Sequence, residues 1–395
     1  MRRALIAGGG IAGPIVALAL RKAGIDATVY EAHASDADGV GGTLAIAPNG
    51  LAALDVVGLG EAVRAAGLPM TRTVIADGRG RRIGQFAGLT GLPPTIALWR
   101  SDLQRVLLEH AAARGVEIVR GRRLVDAIET ADGITARFAD GATATGDLLI
   151  GADGIRSAVR GMIDPAAPEP THVPLLNFVG TASRSVAERD DAMYFVFGRR
   201  AFLGYWAQPD GTTAWYANVP DNERLTGAEA KRRPAETWLG RLREAYAGDV
   251  PARDLVEATS AVSFAALGSL EIMPSVPRWH RGRMVLVGDA VHAPSPSSGQ
   301  GASLAAESAV ELARCLRDLP DVAAALDAYV SLRRRRVERV AARAARTNNA
   351  KALGPAAIAA MRLLMPLATR TFLAPERTLG AEQRHRIDWE RPVTA

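Results

Sequence analysis

Residues 1–24 read MRRALIAGGGIAGPIVALALRKAG, and three mutually exclusive structures compete for them. Two arginines before an apolar run suggest a secretory signal. The run's length suggests a membrane helix. A buried strand, a glycine turn and a helix form the third option. A signal segment does not open on a glycine cluster. A spanning helix needs about 20 apolar residues, whereas this run carries Gly8, Gly9, Gly10, Gly13 and Pro14 and meets Arg21 and Lys22 early. The third option accounts for each residue. Ala4 to Ala7 suits a strand buried on both faces. Gly8, Gly10 and Gly13 spell G-x-G-x-x-G: the first permits a tight turn, the second lets backbone approach a pyrophosphate, and the third lets helix pack on strand. A helix over 12–23 ends at Gly24, with its first amides toward the anion. A second strand, DATVYE, finishes at Glu31, roughly twenty residues on, where an acid accepts from a ribose hydroxyl. The stretch is read as a dinucleotide cradle in a cytoplasmic chain without membrane insertion.

Working outward, the 395 residues suggest two or three structural units, and 48% hydrophobic with 23% charged residues is ordinary for a globular enzyme. The one cysteine, Cys315, excludes an internal disulfide and a cysteine-built zinc site. It lies in the apolar helical pattern AAESAVELARCL and reads as a buried inert thiol. The net charge of +6 is local: eight of 48 basic residues and one of 42 acidic ones fall in SLRRRRVERVAARAARTNNAK, 331–351, leaving a balance of −1 elsewhere. That run reads as the solvated face of a long helix, with Val337, Val340, Ala341 and Ala344 opposite, and no nucleic-acid motif accompanies it.

Further along, LAIAPNGLAALDVVGLGEAVRAAG reads as two short helices broken at Gly58, and TRTVIAD with RRIGQF as a hairpin turning at Asp77-Gly78. SDLQRVLLEHAAARG reads as a helix with Ser101 as N-cap and Gly115 as stop, followed by a buried strand, VEIVRG. RLVDAIETADGITARFADGATATGDLLI alternates and turns twice at Asp-Gly, as an antiparallel meander does. MIDPAAPEPTHVP reads as a linker. Aromatic-rich strands follow, AMYFVFG, AFLGYWAQ, TTAWYANV and EATSAVSFAAL, interrupted by one helix over about 227–247. RMVLVGDA restores a buried strand. The expected division is 1–170 for nucleotide binding (70–97 being a candidate to join the later sheet), 171–274 for substrate, 275–322 for nucleotide binding again, and a helical 323–395.

Two stretches carry further chemistry: LLIGADGIRSAVR places Asp153 and Gly154 at a strand exit, and VLVGDAVHAPSPSSGQGASLAAESAVELA does the same for Gly288 and Asp289. Carboxyl ends of strands are where open α/β sheets hold ligands. One Asp-Gly is an ordinary turn; two behind long apolar strands, after the glycine fingerprint, point to a shared ligand. The turn GQGASLAAESAVELA opens a helix whose amides favour an anion.

On these motifs the chain resembles the group A flavoprotein monooxygenases, the para-hydroxybenzoate hydroxylase family, over residues 8 to about 313. The resemblance implies a Rossmann-like α/β FAD-binding domain, discontinuous, with an inserted antiparallel β-sheet substrate domain and a long C-terminal helix. It implies that Gly8, Gly10, Ala12, Gly13 and Glu31 hold the ADP part of FAD, and that Asp153 and Gly154 touch the dinucleotide region and NADPH. It places Asp289 at the ribityl chain, and Pro296 and the backbone of Gly299, Gly301 and Ala302 beside the flavin ring. WRSDLQRVLL is similar to the family's arginine helix and puts Arg100 and Gln104 at the flavin. GGTLAI, with Thr43, followed by Pro48 and Asn49, is similar to the tetracycline-inactivating branch, and Leu124 falls where a backbone contact to adenine is expected. The chain departs from the pattern at Ser303, where Asn is usual, at Ser308, where Asp is usual, and before Gly41, where arginines are missing.

The implied activity is insertion of one oxygen atom from dioxygen into an aromatic or polycyclic small molecule through a flavin C4a-hydroperoxide. The resemblance implies NADPH or NADH as a transient co-substrate, which fits the lack of a second G-x-G-x-x-G for a resident nicotinamide. The cofactor performs this chemistry, so no catalytic side chain and no metal are expected, and His292 is read as structural. A reductase or dehydrogenase without oxygen insertion and a flavin protein that sequesters a ligand are the competing readings. Among Phe195, Phe197, Tyr205, Trp206, Trp215, Tyr216 and Phe264, two or three are expected to face substrate, with Phe195, Tyr205, Trp206, Trp215 and Phe264 the candidates. Arg184, Arg199 and Arg200 are weak candidates for a carboxylate clamp. A monomer or weak dimer is expected.

Overall fold

Residues Arg3–Ala7 form β1, and Ala4, Leu5 and Ile6 have no exposed surface because strands flank them on both sides. The computed structural model describes residues 3–35, 41–185, 191–349 and 375–394; part of the loop before Gly41 and the tail over 350–374 lie outside them. After β1 come α1 (Ala12–Lys22) and β2 (Asp26–Tyr30), as the opening motif requires. Gly24, at φ +77°, ends the helix without the Cβ clash of other residues.

Thr43–Ile46 is a strand, β3, where a helix was expected; α2 (Pro48–Val56) and α3 (Gly60–Ala66) follow and do part at Gly58. Next are β4 (Leu68–Met70), β5 (Arg72–Asp77), β6 (Arg82–Ala87) and β7 (Thr95–Trp99). α4 covers Arg100–Ala113, and its N-cap is Trp99 without a side-chain bond, so Ser101 lies inside the first turn instead of capping it. β8 (Glu117–Val119) is a partly exposed edge, not the buried strand expected, because it lies outermost in its sheet. The meander is β9 (Leu124–Glu129), β10 (Ile134–Phe138) and β11 (Thr143–Gly146), then β12 (Leu148–Gly151) and α5 (Ala158–Ile163).

The last four of the thirteen residues of the expected linker are strand: β13 runs Thr171–Ala182 and lies inside a seven-stranded sheet. β14 (Ala192–Phe197), β15 (Phe202–Ala207) and β16 (Thr213–Pro220) follow. The helix expected over about 227–247 is two, α6 (Gly227–Arg232) and α7 (Ala235–Ala245), parted at Pro234, and a third, α8 (Ala252–Glu257), follows Pro251; proline cannot donate to a continuing helix. β17 (Thr259–Ile272), β18 (His280–Arg281) and β19 (Met284–Leu286) lead to α9 (Asp289–His292), a 3-10 turn (Pro296–Ser298), α10 (Gly301–Asp318) and α11 (Val322–Asn349).

The main sheet runs β18-β19-β12-β1-β2-β8, parallel except for the edge strand β18. β12 and β19 are neighbours although five strands of the second sheet, β13 to β17, intervene in sequence, so the Rossmann-like unit is discontinuous. That second sheet runs β17-β13-β16-β15-β14-β5-β6, the hairpin β5–β6 joining it by a parallel pairing with β14. Helices α6 to α8 cover one of its faces, with Trp238, Leu239, Leu242 and Tyr246 in the shared core. Cys315 is fully buried on α10, and burial pushes its thiol up to about 12, as for an inert core cysteine. Among the described residues no helix is long and apolar enough to cross a membrane.

Candidate active site

The carboxyl ends of β1, β2, β12 and β19 converge on one recess. Gly8 adopts φ +105°, and a Cβ there would lie 2.4 Å from the carbonyl oxygen of Ala152. A Cβ on Gly13 would lie 1.9 Å from the Gly8 oxygen, so helix–strand packing excludes any side chain. Gly10 differs: only the Arg100 guanidinium, at 3.5 Å, would meet its Cβ, leaving the backbone approachable. The N-terminus of α1 has no side-chain cap and no acid in its first turn, so its amides remain available to an anion. Glu31, 22 residues beyond Gly9, accepts the Gly9 N–H at 2.7 Å, and its other oxygen accepts from His33 N at 2.8 Å. Leu124 starts β9 beside this corner: Phe138 pairs with it, and the Phe138 ring lies 4.7 Å from that of Tyr30.

The start of α4 closes the recess from another side. Arg100 donates its backbone N–H to Gly42 at 2.9 Å, while its side chain reaches both Gly10 and Gly41. Thr43, next along, pairs with Trp99. Gln104 donates Nε2 to Gly9 O at 2.9 Å, and its Oε1 is buried with no partner.

Asp153 has a local task the sequence did not disclose. One carboxylate oxygen caps α5, accepting from Ala158 N at 2.7 Å and Val159 N at 3.2 Å; the other, Oδ1, is buried without a partner. Burial raises its pKa, opposed by the Ser157 hydroxyl and those amides. Gly154, at φ +80°, has open space where a side chain would project. Arg160, absent from the sequence-derived candidates, is buried and donates to Ala290 O at 2.9 Å, tying the second motif to the third.

Asp289 follows Gly288 (φ +65°), whose added Cβ would stand 2.9 Å from the Ala12 methyl. Its carboxylate is open to solvent yet deeply set, and that depth raises its pKa while Arg100 pulls it down. Its accessibility decides what it can do: a hydroxyl-bearing ligand can reach it. Pro296 is exposed in the 3-10 turn, Gly299 and Gly301 meet no atom within 4 Å of an added Cβ, and the uncapped α10 begins there with Ala302 partly buried.

Behind α10 lies a buried polar network the sequence reading missed. Glu307 Oε1 accepts from Asn49 Nδ2 at 2.7 Å and Arg336 Nη2 at 2.7 Å, and Oε2 accepts from Arg333 Nη1 at 2.7 Å. Burial would raise the Glu307 pKa, but Arg333 and Arg336 bring it down to about 2. Asn49 also donates to Gln300 Oε1 at 2.9 Å, so the network reaches the turn that opens α10. Ser303 and Ser308, the two departures, both work here: Ser303 Oγ accepts from Ala47 N at 3.1 Å, and Ser308 Oγ bonds His292 Nε2 at 3.0 Å. The run at 333–336 is therefore not one solvated face; Arg333 is 1% exposed.

The aromatic candidates divide between the faces of the seven-stranded sheet. Tyr205, Trp215 and Phe264 point into the helix-covered core, and Trp215 Nε1 donates to Thr259 Oγ1 at 2.9 Å. Strand alternation turns Phe195 and Trp206 to the opposite face, with Met193 and Tyr216; Trp206 packs with Met70 and Ala97 there. Val179 and Leu267 bring this face against Gly42, beside Arg100. Arg199 and Arg200 lie by Asp249 instead, and Arg184 is exposed.

Residues 2–344 match the FAD binding domain family. Over 345 residues the chain is 32% identical to the FAD-dependent urate hydroxylase of Klebsiella pneumoniae subsp. pneumoniae, covering 85% of this chain and 86% of that protein. The structure of Klebsiella pneumoniae HpxO complexed with FAD and uric acid matches with a TM-score of 0.83 at 27% identity, covering 97% of this chain and 96% of the other. The tetracycline destructase Tet(51) matches with a TM-score of 0.73 at 17% identity, over 98% of this chain and 100% of that one, a likeness of fold.

Proposed function

The chain belongs to the FAD binding domain family as a group A, FAD-dependent monooxygenase, and we propose that the recess holds FAD beside an aromatic or polycyclic substrate. The observation that carries this reading is the recess itself: Gly10 leaves backbone approachable, two helix N-termini are uncapped, and Gln104 Oε1 and Asp153 Oδ1 are buried without partners. Buried polar atoms without partners are rare, and these fit the polar edges of a dinucleotide.

FAD, reduced by a nicotinamide, supplies the activation of dioxygen and the transfer of one oxygen atom. The chain's residues bind and orient. Glu31 accepts from ribose hydroxyls, and the α1 amides face the pyrophosphate. Asp289 accepts from the ribityl chain. Thr43, Arg100, Gln104, Pro296 and the α10 amides would border the ring, and the positive partial charge of those amides would favour negative charge there. Gly154 leaves room for the nicotinamide, and Leu124 contacts adenine through its backbone. Phe195 and Tyr216 form the substrate wall and exclude water from it, while Trp206, 2% exposed, is packed beside them on Met70 and Ala97.

We assign 1–170 and 275–322 to FAD, 171–274 with the 70–97 hairpin to substrate, and the described part of 323–395, with α11, to bracing. The demand for a reduced nicotinamide favours the cytoplasm, and a monomer or weak dimer is expected in sedimentation. The decisive experiment feeds oxygen-18 dioxygen to the purified protein with NADPH and aromatic compounds that accelerate NADPH oxidation. One labelled oxygen per product molecule is expected; NADPH consumption with unlabelled product defeats the reading.

A further inference from the structure

The strands that build the substrate wall carry no charge. β14, β15 and β16 read AMYFVF, FLGYWA and TAWYANVP, without one Lys, Arg, Asp or Glu. An ionised group laid on these three strands would find no charged partner among them, Arg100 standing instead at the Gly41–Gly42 corner, and burying it there is strongly unfavourable.

Two amides interrupt the apolar surface. Asn177 of β13 and Asn218 of β16 stand directly opposite in register, and Asn218 Nδ2 donates to Asn177 Oδ1. Asn218 is 6% exposed and donates also to Ala217 O at 3.3 Å, so it is spent on the protein. Asn177 is half-buried. With Oδ1 oriented by Asn218, it keeps both Nδ2 hydrogens and one Oδ1 lone pair. Alternation along β13 sets Leu176 and Phe178 into the helix-covered core and Asn177 and Val179 on the substrate face. Val179 touches the Gly42 corner and lies about 7 Å along the strand from Asn177, the width of a fused bicyclic ring.

We propose that Asn177, held by Asn218, determines substrate specificity, and that the substrate is an uncharged planar heteroaromatic molecule presenting a ring N–H beside a ring C=O. This rests on the monooxygenase reading above. A primary amide pairs with such a lactam edge through two parallel hydrogen bonds: the ring N–H donates to Oδ1 and Nδ2 donates to the ring carbonyl. A carboxylate offers two acceptors, matches only the donor half, and sets a negative oxygen against Oδ1. A ring whose nitrogen carries a methyl group loses the donor and gains a clash.

The test uses the FAD-loaded protein and reads the visible spectrum of its flavin, titrated with 2-quinolone, 1-methyl-2-quinolone and quinoline-2-carboxylate. Expected is a dissociation constant for 2-quinolone at least tenfold below either of the others. Asn177→Leu should erase that preference, and the near-isosteric Asn177→Asp, which loses both donors, should weaken 2-quinolone at least tenfold; flavin content and melting temperature establish that each variant is folded. Carboxylate binding as tight as that of 2-quinolone overturns the proposal, as does a preference that survives Asn177→Leu or Asn177→Asp. A protein that holds FAD and is reduced by NADPH but shows no saturable change with 2-quinolone overturns the proposal and leaves the monooxygenase reading standing. One that neither retains FAD nor is reduced by NADPH loses both.

Discussion

Arg333 Nη1 stands 2.7 Å from Glu307 Oε2, and both side chains are 1% exposed. The pair joins α11 to α10, and through Asn49 it fixes α2 as well. Removing one member of a buried pair strands the other charge, at a cost of about 3–5 kcal/mol. Glu307→Ala should therefore lower stability by roughly 3 kcal/mol or more in urea denaturation, because Arg333 and Arg336 both lose their acceptor. Adding Arg333→Met to that variant should restore part of the loss. A single variant within about 0.5 kcal/mol of the parent contradicts the role of Glu307 as the hub.

The glycine turn allows fold and binding to be separated. Gly13→Ala places a methyl group 1.9 Å from the Gly8 oxygen, so both folding and FAD retention should suffer. Gly10→Ala meets only a guanidinium at 3.5 Å, so the apoprotein should melt normally. The methyl group would nevertheless stand where the pyrophosphate approaches, and FAD should bind at least tenfold more weakly. Calorimetry of apoprotein and FAD titration of both variants decide it; equal losses of melting temperature refute the distinction.

Asp289 presents an exposed side chain at the exit of β19, with Arg100 acting on its carboxyl. Asp289→Ala removes a charged acceptor for ribityl hydroxyls, worth about 1.5–3 kcal/mol, or about one to two decades of affinity. An unchanged FAD dissociation constant, measured by fluorescence, removes it from the site.

Burial, reinforced by Arg333, depresses the His292 pKa from 6.5 to about 3. His385 is lowered to about 4, mainly by burial as well. Both are neutral when folded but charge in the unfolded chain below about pH 6.5, so the unfolded state binds more protons as pH falls. Their contribution is complete above that pH and is lost on acidification through the folded values. Glu307 adds a loss beginning near 4.5 and running to about 2. Melting temperature should fall steadily from pH 6.5 to 4, and His292→Gln should flatten the slope. A parent profile already flat across this window counts against a buried neutral His292.

The opening turn was legible because the positive φ of Gly8 and the contact of Gly13 with the Gly8 carbonyl are local, whereas the approach of Ala152 to Gly8 comes from far along the chain. β13 was not, since Pro170 and Pro174 suggested a linker, while the strand is made by partners far away in sequence, β16 and β17. Period-two alternation announced the aromatic strands but not which face the helices cover; Trp215 and Trp206, on adjacent strands, went opposite ways. Asp153 was correctly placed at a strand exit, yet its capping of α5 depends on the turn after it. The arginine run looked solvated because Glu307, 26 residues upstream of Arg333, enters only when α10 and α11 pack together.

That packing also divides the run residue by residue. Arg334 donates to Val276 O at 3.0 Å and Pro277 O at 2.7 Å, and its guanidinium lies 5.1 Å from the Trp279 ring centroid. Trp279 is 2% exposed and in turn neighbours His292, with ring centroids 6.0 Å apart. Arg335 is exposed. Val337 and Val340, on the inner side as the sequence suggested, are 3% and 1% exposed. Arg334→Gln should thus cost about 1–2 kcal/mol, reduced from the value for a fully buried group because its side chain is partly solvated. Arg335→Gln should stay within about 0.5 kcal/mol, and Val340→Asp, burying an unpaired charge, should be the most damaging of the three. If the run instead served nucleic acid, the exposed Arg335 and Arg339 would carry affinity, and binding would fall steeply with salt. Duplex DNA titrated at two salt concentrations should show no sub-micromolar binding, and urea denaturation should rank Val340→Asp, Arg334→Gln and Arg335→Gln in that order. Tight, salt-sensitive DNA binding that is lost with Arg335→Gln while stability is unchanged in all three would reverse the assignment of this helix.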